Sequence, residues 1–365
     1  MNAILGNMFI TMNFSTALQV VILGFIGGTL SGFIGSGGAF FMTPGMMNLG
    51  VPGVVAVGSN ITHKFGKAMM GSKRHGELGN VDKRLGAFLI LTSFVGIRIA
   101  VWIINTLFES GGGSHGEGGG GAASNLYISA VFISILSIVA ISMLGDALNK
   151  ENKEGGQGPS MKVADFLSHI HLVPYIKFPV ADVRISLWVI MAVGLATGYL
   201  AGTIGVGGFI GVPAMIYVFG VPTAVAAGTE LYLAMFMGAF GAINYAYHGF
   251  VDIRLVILMY LGSLLGIYIG AYGTKVVKEV LIRIVTSTVI LLCVISRAIA
   301  VPMYLRQLGW ITMNPEWDGY FNAASKIMLF AAGISGVLII LYNVIKAYRQ
   351  RRRIQYSLKQ VREAA

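Results

Sequence analysis

Apolar residues run along this chain in blocks close to the roughly 20 residues that a helix needs to cross the hydrocarbon of a bilayer. The blocks predict spans over 16–34, 51–70, 85–108, 125–144, 185–204, 221–245, 255–272, 281–300 and 323–345. Between the first two lies AFFMTPGMMNLG, apolar but short and punctuated by Pro44. That suits a half-helix or re-entrant segment better than a full crossing. The pattern predicts an all-α polytopic membrane protein with about 8–10 transmembrane segments.

The blocks are written twice. GFIGGTLSGFIGSGGAFFMTPG, from Gly24, returns as GLATGYLAGTIGVGGFIGVPA, from Gly194, at an offset of 170. The same offset carries Gly50-Val51-Pro52 onto Gly220-Val221-Pro222, Gly58 onto Gly228, and Val81-Asp82 with Arg84 onto Val251-Asp252 with Arg254. Only the prolines slip, Pro44 falling one place from Pro213. We read two homologous helical repeats with glycine-broken helices. Gly28 with Gly32, and Gly198 with Gly202, have the spacing that lets helices approach closely in lipid. The next glycines, Gly35-Ser36-Gly37-Gly38 and Gly205-Val206-Gly207-Gly208, permit the helix to unwind. Paired interruptions in two halves point to a transporter's binding site; the plainer alternative is that they only pack helices tightly.

Charge then orients the spans. The chain is 55% hydrophobic and 11% charged, with mean hydropathy +0.75 and net charge +11. Soluble domains carry about 25% charge. The basic residues crowd into loops and the tail, which fits the positive-inside rule and not nucleic acid. The division is a first transmembrane repeat over 16–148, a cytoplasmic hinge over 149–184, a second repeat over 185–300, an interfacial segment and final helix over 301–345, and a basic cytoplasmic tail over 346–365. The loop 72–84 also reads as cytoplasmic, and the glycine tract 109–124, with His115 and Glu117, as a flexible external linker. His169 and His171 in the hinge read as part of an amphipathic surface segment. With no Lys or Arg before Lys64, the first helix reads as retained. The single Cys293 excludes a disulfide framework and offers no metal cluster. Five spans between Arg184 and Lys346 would put the tail outside, so crossing number, and with it parallel or inverted repeats, stays open.

Ionisable residues inside spans are costly and therefore functional candidates. SNITHKFGK places Ser59, Asn60, Thr62, His63, Lys64 and Lys67 together near the start of the second span. His63 and Lys67 share one helix face and Asn60 and Lys64 the adjacent one. A helix N-terminus with two lysines would attract an anion; alternatively the lysines snorkel to an interface. Glu230 aligns with Asn60 and is the only Lys, Arg, Asp or Glu between Arg184 and Asp252. It could hold a coupling ion or proton, pair with Lys64, or cap a helix. Arg98 and Arg297 read as reaching the headgroups.

The duplicated Gly-x-Gly-Gly break, the Gly-Val-Pro turn and the Gly-x-Val-Asp loop resemble the sulfite exporter TauE/SafE family of membrane permeases, over about 20–300. The resemblance implies secondary transport of a small sulfur oxyanion or organosulfonate such as sulfite, sulfoacetate or thiosulfate. The glycine tract, long hinge and final span with its tail lie outside the shared core. We expect a multi-pass protein of the bacterial inner membrane, without cofactor or metal. The expected partners are a small anionic substrate and the lipid bilayer, with a second copy of the chain left open. The alternatives are a cation- or proton-coupled permease of other specificity, and a membrane scaffold using the tail. No Cys/His, Ser/His/Asp or Walker A pattern argues for an enzyme.

Overall fold

A computed structural model of the chain describes residues 9–34, 38–110, 121–148, 173–205, 207–277 and 279–364. The first half forms α1 (Phe14–Ile34), α2 (Ala39–Asn48), α3 (Gly53–Glu77), α4 (Lys83–Ser110) and α5 (Ala122–Leu148). A hairpin of β1 (Tyr175–Phe178) and β2 (Val183–Ser186) leads into the second half. There α6 (Leu187–Ile204) precedes α7 (Gly208–Pro213), which runs on into a π-helical turn at Ala214–Val218. Next come α8 (Thr223–Tyr247), α9 (Ile253–Val276), α10 (Glu279–Gln307) and α11 (Trp317–Ala364). Among the described residues, 8 helices are long and apolar enough to cross a membrane. The chain is an all-α polytopic membrane protein. α3 is outside those eight, its 59–67 stretch being polar, yet it packs along α8 among them.

Glycine decides the closest contacts. α1 lies along α9, with Gly24, Gly28 and Gly32 against Met259, Ser263 and Ile267. α6 lies along α4, with Gly194, Gly198 and Gly202 against Leu89, Ser93 and Ile97. A Cβ at Gly24, Gly28 or Gly198 would overlap the facing backbone, and close approach of this kind holds helices together where lipid removes the hydrophobic drive. The numbers in each pair rise together, so both pairs are parallel. They differ from one another by 170 throughout.

The helices α3 and α8 also stand 170 apart, and they run antiparallel. Gly58 packs beside Phe250, Phe65 beside Gly238, and Gly71 beside Leu231. These two helices, matched by the offset, therefore run in opposite directions, which the loop charges alone leave undecided. The loops follow the offset too. The Asp82 N–H donates to Thr229 Oγ1 at 3.0 Å, and the Asp252 N–H to Ser59 Oγ at 3.1 Å. Each aspartate then caps its own helix, accepting from the N–H of Arg84 or of Arg254.

These directions sort the two ends of the bundle. The 78–82 loop and the β-hairpin share one end, where the Ala181 N–H donates to Asp82 Oδ2 at 3.0 Å. The 248–252 loop and the first described residues share the other, where Arg254 reaches the carbonyl of Ile10 at 3.4 Å. α9 leaves that second end, α10 returns to it, and α11 folds back along α10 with Ser325 beside Ser296 and Gly336 beside Val289. The C-terminal helix thus finishes at the end that holds the hairpin. This removes the parity difficulty, because α1–α2 and α6–α7 each turn back within the bundle.

Four sequence expectations change. α3 continues to Glu77, helped by the Arg74–Glu77 pair one turn apart, so the polar loop shrinks to 78–82. The stretch 301–320 is not one interfacial segment: α10 runs through Pro302 to Gln307, and α11 begins at Trp317. Arg306 clamps Asp318 across the intervening turn. The tail is no separate unit but continues α11 to Ala364. The end of the hinge forms strands, since Ile176, Phe178, Val183 and Ile185 alternate with polar residues and pair in register. His115, Glu117, His169 and His171 lie outside the described residues.

Candidate functional site

The two interrupted helices meet in the middle of the bundle. Gly38 precedes α2 and is wedged against the carbonyl of Gly27. Gly205 ends α6 with φ 74°, a left-handed conformation that glycine adopts without strain. A helix leaves its last carbonyls unpaired, and here the other half supplies a partner. The Thr43 hydroxyl on α2 donates to the Ile204 carbonyl at 3.0 Å, and Asn60 Nδ2 on α3 donates to Thr43 Oγ1 at 2.8 Å. Both side chains are fully buried.

Beside this junction is a cavity of about 160 Å³, well above the roughly 10–15 Å³ that one water needs. Its polar wall is Asn60, His63, Lys64 and Lys67 of α3, facing Glu230 of α8. Ser31 and Gly32 at the end of α1 and Gly208 at the start of α7 complete that part of the lining. Five of the residues singled out in 59–67 and at 230 are thus brought to one space. Gly207 adjoins it: a Cβ there would stand 3.3 Å from Lys64 Nζ and 3.0 Å from the methyl of Met237. Gly205 packs on the Asn60 amide.

Other expected site residues fall elsewhere. Gly35, Ser36 and Gly37 lie outside the described residues. Gly38 is buried against α1 and is not part of the cavity wall. Thr62 does not line the cavity, and its hydroxyl donates to the Gly58 carbonyl in its own helix at 2.8 Å. The lysines do not stand at a helix start. α3 begins at Gly53, whose N–H is taken by Asn125 Oδ1 at 2.7 Å, so 59–67 is mid-helix and its amides are engaged. Side chains, not a helix terminus, supply the positive field.

Lys64 Nζ lies 3.9 Å from Glu230 Oε1, beyond hydrogen-bond distance. Neither Glu230 oxygen has a hydrogen bond among the described residues, although the side chain is only 3% exposed. Gly211 packs against that carboxylate, with no room for a Cβ. Attraction at this separation is about 4 kcal/mol in a protein-like dielectric, against a desolvation penalty of several kcal/mol per ion. The pair is no stability device. Lys67 has no carboxylate within ion-pair distance among the described residues. His63 Nε2 is 2.9 Å from Ser263 Oγ, its ring packs on Tyr260 at 4.5 Å, and the Tyr260 hydroxyl donates to the His63 carbonyl at 2.6 Å. A wall with two ammonium groups, an amide and an imidazole can hold a small anion, and its one carboxylate can hold a proton or cation.

Sequence reasoning missed Ser31, Thr43, Gly211, Tyr260 and Ser263. A signal existed for the last: Ser93-x-x-Gly96 and Ser263-x-x-Gly266 recur at the 170 offset, opposite Gly198 and Gly28.

The profile of the family described as sulfite exporter TauE/SafE matches residues 20–297. Three curated proteins of Bacillus subtilis strain 168 are similar. Probable membrane transporter protein YdhB is 24% identical over 273 residues, covering 73% of this chain and 94% of that protein. Probable membrane transporter protein YjnA is 24% identical, covering 70% and 89%. Probable membrane transporter protein YunE is 23% identical, covering 75% and 94%. No solved structure matches.

Proposed function

The chain belongs to the sulfite exporter TauE/SafE family of membrane transporters, and from that premise we propose that it is a secondary permease moving a small anion through the cavity between its inverted halves. The observation that carries this reading is the pair of lysines, Lys64 and Lys67, on a cavity where both interrupted helices end. Charge inside a membrane span is expensive unless it has work to do. We assign substrate contact to Lys64, Lys67, Asn60 and His63, with the break glycines Gly205, Gly207 and Gly208 shaping the wall and Glu230 as the coupling-ion or proton position. A sulfur oxyanion or organosulfonate, of which sulfite, thiosulfate and sulfoacetate are examples, fits this chemistry because it offers several acceptor oxygens to ammonium donors. The test is uptake by proteoliposomes across a panel of these anions. Saturable uptake of at least one is expected. Uptake of cations alone, abolished in Glu230→Gln, would favour the cation-coupled reading, which the bare Glu230 carboxylate otherwise supports.

The ends of the bundle support an orientation. Lys73, Arg74, Lys83, Arg84, Lys177, Arg184 and Lys346 gather at the hairpin end, which we assign to the cytoplasm of a bacterial inner membrane. Cysteines placed near Gly156 and beyond Arg353 should react with an impermeant reagent from that one side. Labelling from opposite sides would overturn the assignment.

A further inference from the structure

The fixed charges around the cavity can be counted. On α3, Lys64 and Lys67 face it, and on α8 Glu230 does. Among the described residues, the other elements packed on α8 bring no charge to Glu230. His75 of α3 touches Gly228, away from the cavity. α4 meets the start of α8 through Asp82, whose N–H binds Thr229, with Lys83 and Arg84 exposed; its Arg98 is bound to Asn244, far along the helix. α6, α7 and the π-helical turn carry no charged side chain, only Tyr199 and Tyr217. His63, already bonded to Ser263, counts as a neutral group. With both lysines protonated and Glu230 ionised, the cavity wall carries two positive charges and one negative.

Resting on the anion reading above, we propose that the charge of the substrate sets the protonation of Glu230: a monoanion binds with Glu230 ionised, and a dianion binds together with one proton on that carboxylate. In both cases the loaded cavity is neutral. The physical reason is that net charge in a poorly solvated space is what burial penalises most. The geometry allows both states. Glu230 has no hydrogen bond to lose, and its 3.9 Å contact with Lys64 is loose enough for an oxyanion to replace it. The proton enters from the solution that supplies the dianion and leaves with it on the far side. Each cycle then moves one net negative charge whichever anion is carried.

The experiment is calorimetric binding to the purified, detergent-solubilised protein in buffers of different ionisation heat, which counts protons taken up. The probes are thiosulfate, a dianion at neutral pH, and methanesulfonate, a monoanion. At a pH where Glu230 is ionised in the free protein, wild type should take up about one proton per thiosulfate, and thiosulfate affinity should weaken about tenfold per unit rise in pH. Glu230→Gln should bind thiosulfate with no proton and no such pH dependence. Any methanesulfonate bound by wild type should bring no proton, whereas in Lys64→Ala it should bring one. Thiosulfate binding without a proton in wild type, or proton uptake that persists in Glu230→Gln, would overturn this inference and leave the anion reading standing. Failure of folded wild type to bind either anion would overturn both.

Discussion

Around α2 the protein is closed. Phe40, Phe41, Met42 and Met46 have no exposed surface, and α10 and α11 cover the helix. Its end is tied by a buried polar cluster: Arg297 donates to Asn48 Oδ1 and to the Tyr304 hydroxyl, each at 2.8 Å, and Ser325 donates to Asn48 Oδ1 at 3.1 Å. Around α7 the protein is looser. Ile210, Val212, Ile216 and Val218 are partly exposed, and the helix gives way after six residues to a π-helical turn. At the offset of 170, Asn48 becomes Val218 and Arg297 becomes Tyr127, so the polar tie has no counterpart. Tyr127 instead meets the Tyr199 hydroxyl. Among the described residues α11 has no counterpart in the first half, and it supplies Ser325 to the tie. Arg297 is 1% exposed and does not reach headgroups. The comparison teaches that one break is tied by a buried polar cluster and the other is not, while the cavity lies between them.

The comparison is broken most severely at the untied break. Gly207→Leu should abolish transport while the protein still inserts, because the new side chain would press on Lys64 and Met237. Uptake at the wild-type rate by an inserted Gly207→Leu protein would remove this break from the mechanism.

The held break should govern stability instead. Arg297→Leu removes two hydrogen bonds from a charged donor, and should cost about 3 kcal/mol. Tyr127→Phe at the corresponding place should cost about 0.6 kcal/mol, the average for side-chain bonds within a membrane. Thermal unfolding in one detergent measures both. Equal losses would mean that the two breaks are held alike. The smallest effect is expected from Thr62→Val, which leaves the cavity wall intact and should change anion affinity by less than about twofold, a few tenths of a kcal/mol.

Much of this architecture is legible in the chain because lipid imposes strict rules. Span length, the glycine spacing and the 170 offset are local or periodic, so the helices and the positions of both breaks follow from them. Lys64, Lys67 and Glu230 stand out because charge is rare in apolar runs. What could not be read was which element faces which. That α3 meets α8 antiparallel is encoded by no local pattern in either helix. Thr43 and Ser263 look like ordinary small polar residues until another helix arrives opposite them. Thr62 misled for the opposite reason: it sits between site residues, but on a helix its neighbours in sequence point elsewhere.

The most direct test of an anion site between the halves is equilibrium binding of thiosulfate to wild type, Lys64→Ala, Lys64→Arg and Lys67→Ala. A hydrogen bond to a charged group contributes about 1.5–3 kcal/mol, and tenfold in affinity is about 1.4 kcal/mol. Each alanine variant should therefore bind roughly ten- to a hundredfold more weakly, and Lys64→Arg should lose less. Wild-type affinity in both Lys64→Ala and Lys67→Ala would contradict the account.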